Sequence, residues 1–168
     1  FPEPLEPRKK DKKPVHVLFG GKTSERQVSL MSGTNVWLKL RKSKKYSPHP
    51  FLLDSKNNVW KLPYAYTLNH TVEEIVENCE KAQDTQKKLS RLVEKVRFKL
   101  LLSPGEVELD SSALPTKISL RDFITASPFV FIALHGGEGE DGTIQKMLTD
   151  KGVPFNGPSQ KVSKLCMD

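Results

Sequence analysis

The chain has 168 residues, of which 36% are hydrophobic and 28% charged, a composition typical of one soluble globular domain with a real core. No run approaches the roughly 20 apolar residues that a membrane-spanning helix needs, so we expect no membrane partner. The two cysteines, Cys79 and Cys166, lack the spacing of metal or redox motifs. We interpret them as reduced thiols in a cytosol-like compartment, with Cys79 on the buried face of a helix.

The formal net charge of +7 raises the question of nucleic-acid binding. The basic excess is concentrated in residues 8–13 and 39–45 rather than spread along the chain. Neither run is interleaved with aromatic residues, so neither offers a platform on which bases could stack. We therefore interpret both runs as solvated and expect no nucleic-acid partner.

Residues 1–14 contain four prolines and almost no apolar side chain. This composition predicts an extended linker or tail, and the lack of an apolar central region argues against a secretory signal. The remnant of a transit sequence and a junction with an upstream domain both stay open as explanations.

From residue 15 onwards, short β-rich runs alternate with helical patterns, which favours a parallel, Rossmann-like sheet. Strands are predicted at 15–19, 48–54, 127–134 and 153–156, with a hairpin arm at 58–62. Helices are predicted at about 26–42, 143–151 and 158–167, and either one broken helix or two helices between 71 and 101. Residues 103–117 read as a loop. The fold class is therefore α/β, with a mostly parallel sheet flanked by helices.

Two of the predicted helices carry apolar residues at helical spacing. In the first, the inward stripe is expected to consist of Val28, Met31, Val36, Trp37 and Leu40. In the helix at 143–151, Ile144, Met147 and Leu148 should face the core, and Gly152 should end the helix.

Two glycine-rich loops follow predicted strands, at residues 20–26 and 135–142, where open parallel sheets bind their ligands. The second loop contains a GxGxxG pattern at Gly137, Gly139 and Gly142, which suggests a dinucleotide-binding turn. Three acidic residues within that loop would repel a pyrophosphate, and the acidic residue expected about 20 positions later is missing. The dinucleotide interpretation is therefore rejected.

A small zwitterion suits these loops better than a nucleotide. Helix amides would hold its carboxylate, Glu25 or Glu140 its ammonium group, and His135 could donate a hydrogen bond to the carboxylate. The simpler alternatives are that Ser24 or Glu25 only caps the first helix and that His135 is a structural residue closing its strand. The combination of these residues in two loops of the same kind favours the ligand-binding interpretation.

The loops also carry two motifs of a known family. The segment GGKTSERQVSLMSG at 20–33 resembles the first signature of D-alanine–D-alanine ligases, a glycine pair followed by S-x-E-x-x-V-S-L-x-S-G. The segment LHGGEGEDGTIQKMLTDKGVPFNGPSQKVSKLCMD at 134–168 is similar to the second, with Phe155 in place of the usual tyrosine. The resemblance covers residues 15–54 and 127–168, and residues 56–126 are interpreted as a partly helical insertion.

The resemblance implies that residues 15–168 form the Rossmann-like N-terminal domain of an ATP-grasp ligase. Such enzymes phosphorylate the carboxylate of one D-alanine, and the amine of a second D-alanine attacks the acylphosphate. Carried over by position, Glu25 is the catalytic glutamate that holds the ammonium of the first D-alanine. Val28, Ser29, His135 and Glu140 are the substrate-binding positions around it.

The same resemblance implies that ATP and Mg²⁺ are bound by a C-terminal ATP-grasp region that lies beyond Asp168. We therefore expect no cofactor or metal in this chain and no activity from it alone, with residue 168 near a domain boundary. The family further implies a homodimer through N-terminal domains, a role in peptidoglycan precursor synthesis and a cytoplasmic location, or an organelle stroma in a plastid-bearing source. A non-catalytic dimerisation or binding module, and the N-terminal domain of a related D-alanine–D-X ligase, are the alternatives.

Overall fold

A computed structural model describes residues 12–101, 114–137 and 141–157. Its five-stranded sheet has the order β4-β3-β2-β1-β5. The strands are β1 (Lys13–Gly20), β2 (Tyr46–Leu53), β3 (Asn58–Lys61), β4 (Thr116–Ser119) and β5 (Val130–Ile132). Strand β1 pairs in parallel with β2 and β5, whereas β3 is antiparallel to β2 and β4. Only β3 therefore runs against the rest, and the predicted mostly parallel sheet is confirmed.

Helices cover both faces of the sheet. They are α1 (Arg26–Arg41), α2 (Val72–Leu100), α3 (Leu120–Ala126) and α4 (Thr143–Asp150), with a short 3₁₀ helix at Tyr64–Leu68. Strand β1 alternates its side chains between two cores. Val17 and Phe19 pack with α1 and the start of α2, whereas Leu18 packs with residues of α3 and α4. Sandwiching β1 in this way fixes its carboxyl end, from which the first glycine-rich loop departs.

The buried stripe of α1 differs from the predicted one. Val28 is 52% exposed and Met31 is 68% exposed, so their placement toward the core was wrong. The buried positions are Ser29, Leu30, Gly33 and Trp37. Ser29 is held by internal hydrogen bonds and Gly33 by a close approach to the sheet, and a search for apolar periodicity detects neither kind of contact.

Helix α2 is one unbroken helix of 29 residues, not the broken helix or the two helices that the sequence predicted. Thr71 begins it, with a side chain that accepts a hydrogen bond from the Glu74 amide at 3.1 Å. Its buried residues are confined to the first third, at Val72, Ile75 and Cys79. Cys79 is fully buried as a free thiol, as predicted, and burial raises its pKa to about 12.

The last predicted strands are shorter than expected. Of residues 127–134, only Val130–Ile132 form a strand, and residues 153–156 contribute a single parallel bridge from Phe155 to Val130. The side-chain amide of Asn156 substitutes for further pairing: its Oδ1 accepts from the Ile132 amide, and its Nδ2 donates to the Ile132 carbonyl at 3.3 Å. An asparagine side chain therefore does here what a longer strand would do with its backbone.

Some of the remaining sequence predictions fall on residues that the structure describes, and others lie outside them. As predicted, Ile144 and Leu148 of α4 are buried, Met147 is partly buried, and Gly152 at φ +69° follows the helix end. Residues 56–126, interpreted as an insertion, contribute both β3 and β4 to the sheet. The tail up to residue 11, most of the loop at 103–117 and the helix at 158–167 lie outside the described residues. No helix in the described ranges is long and apolar enough to cross a membrane.

Candidate functional site

A cavity of about 150 Å³ opens where the two glycine-rich loops meet, beyond the carboxyl ends of β1, β2 and β5. The first loop supplies Gly20–Thr23, the second supplies His135–Gly137 with Asp141, and strand ends complete the wall with Leu53, Asp54, Asn57 and Leu134. This is the position at which open parallel sheets bind ligands. The predicted meeting of the two loops is therefore observed.

Gly20 can only be glycine at the turn out of β1. Its φ is +97°, and a Cβ atom there would lie 2.6 Å from Leu52 Cδ1 and 2.8 Å from the Leu53 carbonyl oxygen. The next residue, Gly21, donates its amide to the same Leu53 oxygen at 2.8 Å. The first loop is thus held tightly against the end of β2.

Ser29 is one of the predicted substrate-binding residues, and its hydroxyl is engaged inside the protein. It accepts from the Gly20 amide at 2.8 Å and donates to the Ala133 carbonyl at 2.8 Å. The side chain is completely buried. With its only proton donated to Ala133, Ser29 joins the ends of β1 and β5 beneath the cavity and shapes its floor.

His135 lies in the cavity wall, as the sequence predicted. Its Nε2 is 3.0 Å from the hydroxyl of Ser32, one turn further along α1 than Ser29. Its carbonyl oxygen accepts a hydrogen bond from Thr23 Oγ1 at 2.8 Å. Both the ring and the backbone of His135 are therefore held by hydroxyl groups from the first motif.

Thr23 and Ser32 are site residues that the sequence analysis did not single out. Their partner, His135, lies more than 100 positions away, so no local pattern could reveal the contacts. The only available signal was their place within the first signature. Ser32 is its last serine, and Thr23 stands where the pattern has its first.

Glu25 occupies the position just before α1, with an exposed side chain outside the wall of the cavity. Glu25 is the N-cap residue of α1, as the simpler alternative had it, but its side chain makes no capping hydrogen bond. Thr23 supplies the contacts instead: its hydroxyl accepts from the Glu25 amide at 3.3 Å and its carbonyl from the Arg26 amide at 3.2 Å. Val28 is exposed on the first turn of α1, and Glu140 lies outside the described residues.

Two acidic side chains in the cavity wall are already engaged. Asp54 is buried and accepts from the amides of Lys56 and Asn58 and from the indole of Trp60, at 2.8–3.1 Å. Asp141 accepts from the Thr143 amide at 2.8 Å and so caps α4. Asp54 thereby closes the turn between β2 and β3. Both carboxylates therefore have partners within the protein.

The first loop is also fastened to α2. Arg26 forms an ion pair with Glu73, and Gln27 donates to the same carboxylate at 2.6 Å. The hydrogen bond from Arg26 holds the pKa of Glu73 below its usual range. Arg26 also donates to the Thr23 carbonyl at 3.1 Å. The start of α2 therefore braces the loop from the side opposite the cavity.

The size of the cavity selects among ligands. A cavity of about 150 Å³ accepts a molecule the size of benzene. Pockets for larger ligands measure roughly 300–1,000 Å³. A small amino acid fits this volume. In the described ranges, moreover, no three His, Cys, Asp or Glu side chains converge to hold a metal ion.

The fold and the site together define a Rossmann-like domain with a small-ligand cavity between two loops at strand ends. The family model described as "D-ala D-ala ligase N-terminus" matches residues 14–158. The chain belongs to this family.

Relatives and solved structures agree with that assignment. D-alanine–D-alanine ligases of Sodalis glossinidius and Pediococcus pentosaceus are each 31% identical, over 98% and 92% of this chain. The structure of the ligase from Coxiella burnetii superposes with a TM-score of 0.59 at 22% identity, covering 94% of this chain and 38% of that one, and so supports the fold. The chain spans about 40% of the length of the curated relatives it matches.

Proposed function

We propose that this chain is the first-substrate domain of an ATP-dependent D-alanine–D-alanine ligase. The observation that carries the proposal is the cavity between the two signature loops, in a chain that belongs to the N-terminal family of these ligases. The cavity has the volume of a small amino acid and a histidine in its wall. In the whole protein it would hold the D-alanine whose carboxylate becomes activated.

The chain's own residues bind and orient this substrate. Glu25 holds the ammonium group from the exposed edge of the site, and His135 donates a hydrogen bond toward the carboxylate. Val28 and Glu140 complete the contacts, while Ser29 keeps the floor in place. Fixing both charged ends presents the carboxylate outward, toward the part of the protein that activates it.

ATP and Mg²⁺ would be bound by the remaining part of the whole protein, as the resemblance to ATP-grasp ligases implies. When bound there, they supply the phosphoryl group and the charge neutralisation that turn the carboxylate into an acylphosphate. The amine of a second D-alanine then forms the new amide bond, and phosphate leaves. The homodimer and the cytoplasmic location that the family implies are part of the same proposal.

The test uses the intact protein with ATP, Mg²⁺ and D-alanine, and measures phosphate and dipeptide formation. The unmodified protein should form both only when D-alanine is present. Glu25→Gln should lower kcat/KM by about 30- to 150-fold, because a charge-assisted hydrogen bond to the substrate ammonium contributes about 2–3 kcal/mol.

The matched control is Glu77→Gln. Glu77 is an exposed glutamate on α2 that pairs with Lys81 at 2.7 Å and is not part of the cavity wall. We expect kcat/KM of this variant within twofold of the unmodified protein. If the intact, folded protein released no D-alanine-dependent phosphate, the ligase assignment would be wrong. Unchanged kinetics of Glu25→Gln would refute only the role of Glu25.

A further inference from the structure

One side chain connects the two loops of the site directly. The Thr23 hydroxyl donates its proton to the His135 carbonyl at 2.8 Å and lies 3.3 Å from the Glu25 amide nitrogen, from which it accepts. A single hydroxyl group thus bonds to the backbone of both residues that we expect to hold the charged ends of the substrate. Its donor and an acceptor are both used.

The methyl group of Thr23 makes a second, steric contact with the same loop. A Cβ atom built on Gly137 would lie 2.9 Å from Thr23 Cγ2, and one built on Gly136 would lie 3.3–3.5 Å from three atoms of the threonine side chain. Both glycines have positive φ, +72° at Gly136 and +49° at Gly137. The second loop therefore approaches Thr23 as closely as glycine allows.

Thr23 is itself held in place. Its carbonyl accepts from the Arg26 guanidinium at 3.1 Å, and Arg26 is paired with Glu73 at the start of α2. Ser32 separately holds the His135 ring at 3.0 Å. The backbone and the ring of His135 are therefore fixed independently, and only Thr23 among these residues contacts both loops at the cavity.

We propose that Thr23 is a positioning residue that sets the distance between the ammonium-binding and carboxylate-binding halves of the first-substrate site. The inference rests on the proposed function, because it takes Glu25 and His135 as the two halves. An α-amino acid has a fixed separation between its charged groups, so a change in the distance between the halves weakens binding at both ends. Thr23 acts on binding and not on the chemical step.

Kinetics of the intact protein test this with two variants of opposite design. Thr23→Val keeps the shape and removes the hydroxyl, and we expect the KM for the first D-alanine to rise about tenfold with kcat changed less than twofold. Thr23→Ser keeps the hydroxyl and should restore KM to within about threefold of the unmodified value. Thr125→Val is the matched control, since Thr125 also donates to a backbone carbonyl, that of Arg121 at 3.0 Å, but lies on α3 away from the cavity.

A purely structural role would lower the melting temperature of Thr23→Val and leave KM unchanged, and that result would overturn the proposal. Equal KM increases in Thr23→Ser and Thr23→Val would overturn it as well, because the hydroxyl would then not be responsible.

A second measurement separates this proposal from the ligase assignment. Amide hydrogen exchange at Gly136 and Gly137 should accelerate severalfold in Thr23→Val but not in Thr23→Ser, whether or not the protein turns over D-alanine. Unchanged exchange in Thr23→Val would refute the positioning role even in an active ligase. Accelerated exchange in a protein without ligase activity would instead refute the proposed function and leave the connection between the loops standing.

Discussion

His16 shows how a single side chain can couple this fold to pH. It lies on β1, with its ring centroid 4.5 Å from that of Phe51 and 5.9 Å from that of Phe123. Its Nδ1 is 2.9 Å from Ser127 Oγ, and because that hydroxyl donates to the Phe123 carbonyl at 2.6 Å, His16 must be the donor in the contact. Burial, with smaller contributions from His49 and Lys61, lowers the pKa of His16 to about 4.

We expect the free energy of unfolding to fall as the solution is acidified. Between the unfolded pKa of 6.5 and the folded value of about 4, the unfolded state binds more protons than the folded state. The stabilisation is therefore complete above the unfolded pKa and is lost as the pH falls toward the folded one. Because the ring is only partly buried, we expect a loss of about 1 kcal/mol between pH 7 and pH 5.

Urea unfolding at both pH values measures this loss. His16→Gln should reduce the difference between the two pH values, and His70→Gln, which changes an exposed histidine, should not. Burial also lowers the pKa of His49, so some pH dependence should remain in His16→Gln. An identical pH difference in His16→Gln and the unmodified chain would contradict the assignment.

At the residue scale, the sequence predicted which loops form the site better than it predicted what each side chain does. Glycines and a histidine in a strand-end loop are local signals, and His135 lies in the cavity wall as expected. Hydroxyl groups are different, because their partners are chosen by the fold. The hydroxyl of Ser29 bridges Gly20 and Ala133, its role in substrate binding stays a prediction, and Thr23 went unnoticed.

At the scale of the element, Gly33 shows why α1 can lie so close to the sheet. A Cβ atom at this position would be 2.6 Å from the Cβ atom of Phe19, a fully buried residue near the carboxyl end of β1. Gly33→Ala should gain about 1 kcal/mol of helix propensity. We expect the clash to outweigh that gain, because Phe19 cannot move within the core, and the net loss of stability to be about 1–2 kcal/mol.

Chemical denaturation of Gly33→Ala beside Asn35→Ala separates the two effects. Asn35 is exposed on the same helix, so its replacement by alanine should stabilise the chain by about 0.5 kcal/mol through propensity alone. A stabilised Gly33→Ala variant would mean that α1 can move away from β1, and the close approach would not be a constraint.

Helix α2 shows where prediction of an element stops. Its helical pattern was recognised, but the sequence suggested a break that the structure does not have, because residues 80–88 continue the helix with no proline or glycine to end it. Beyond Cys79 none of its residues is buried by the described part of the chain. Leu92 is 57% exposed and Phe98 is 83% exposed. The helical periodicity of the sequence therefore predicted a helix, but it did not indicate which half of that helix packs into the core.

At the scale of the whole molecule, the order of strands and helices followed from the sequence because alternating β and α patterns permit few arrangements. Strand β4, which pairs antiparallel with β3, did not, since its four residues contribute no buried side chain. The resemblance to the ligase family was recognised from two motifs. Each motif follows the end of a parallel strand, and the two meet at one cavity.

The cavity also predicts how this chain should behave by itself. We expect D-alanine to shift the amide NMR signals of Gly20, Gly21 and Gly136, because a site closed by its own two loops does not need the rest of the protein in order to bind weakly. With ATP and Mg²⁺ added, we expect no phosphate release, because the resemblance to ATP-grasp ligases implies that ATP is bound by the remaining part of the whole protein. The intact protein, assayed in parallel, should release phosphate.

Sustained release by the chain alone, lost on Glu25→Gln, would show that nucleotide binding extends into this domain. Absence of any D-alanine shift would show that the loops close around the substrate only when the remaining part of the protein covers them.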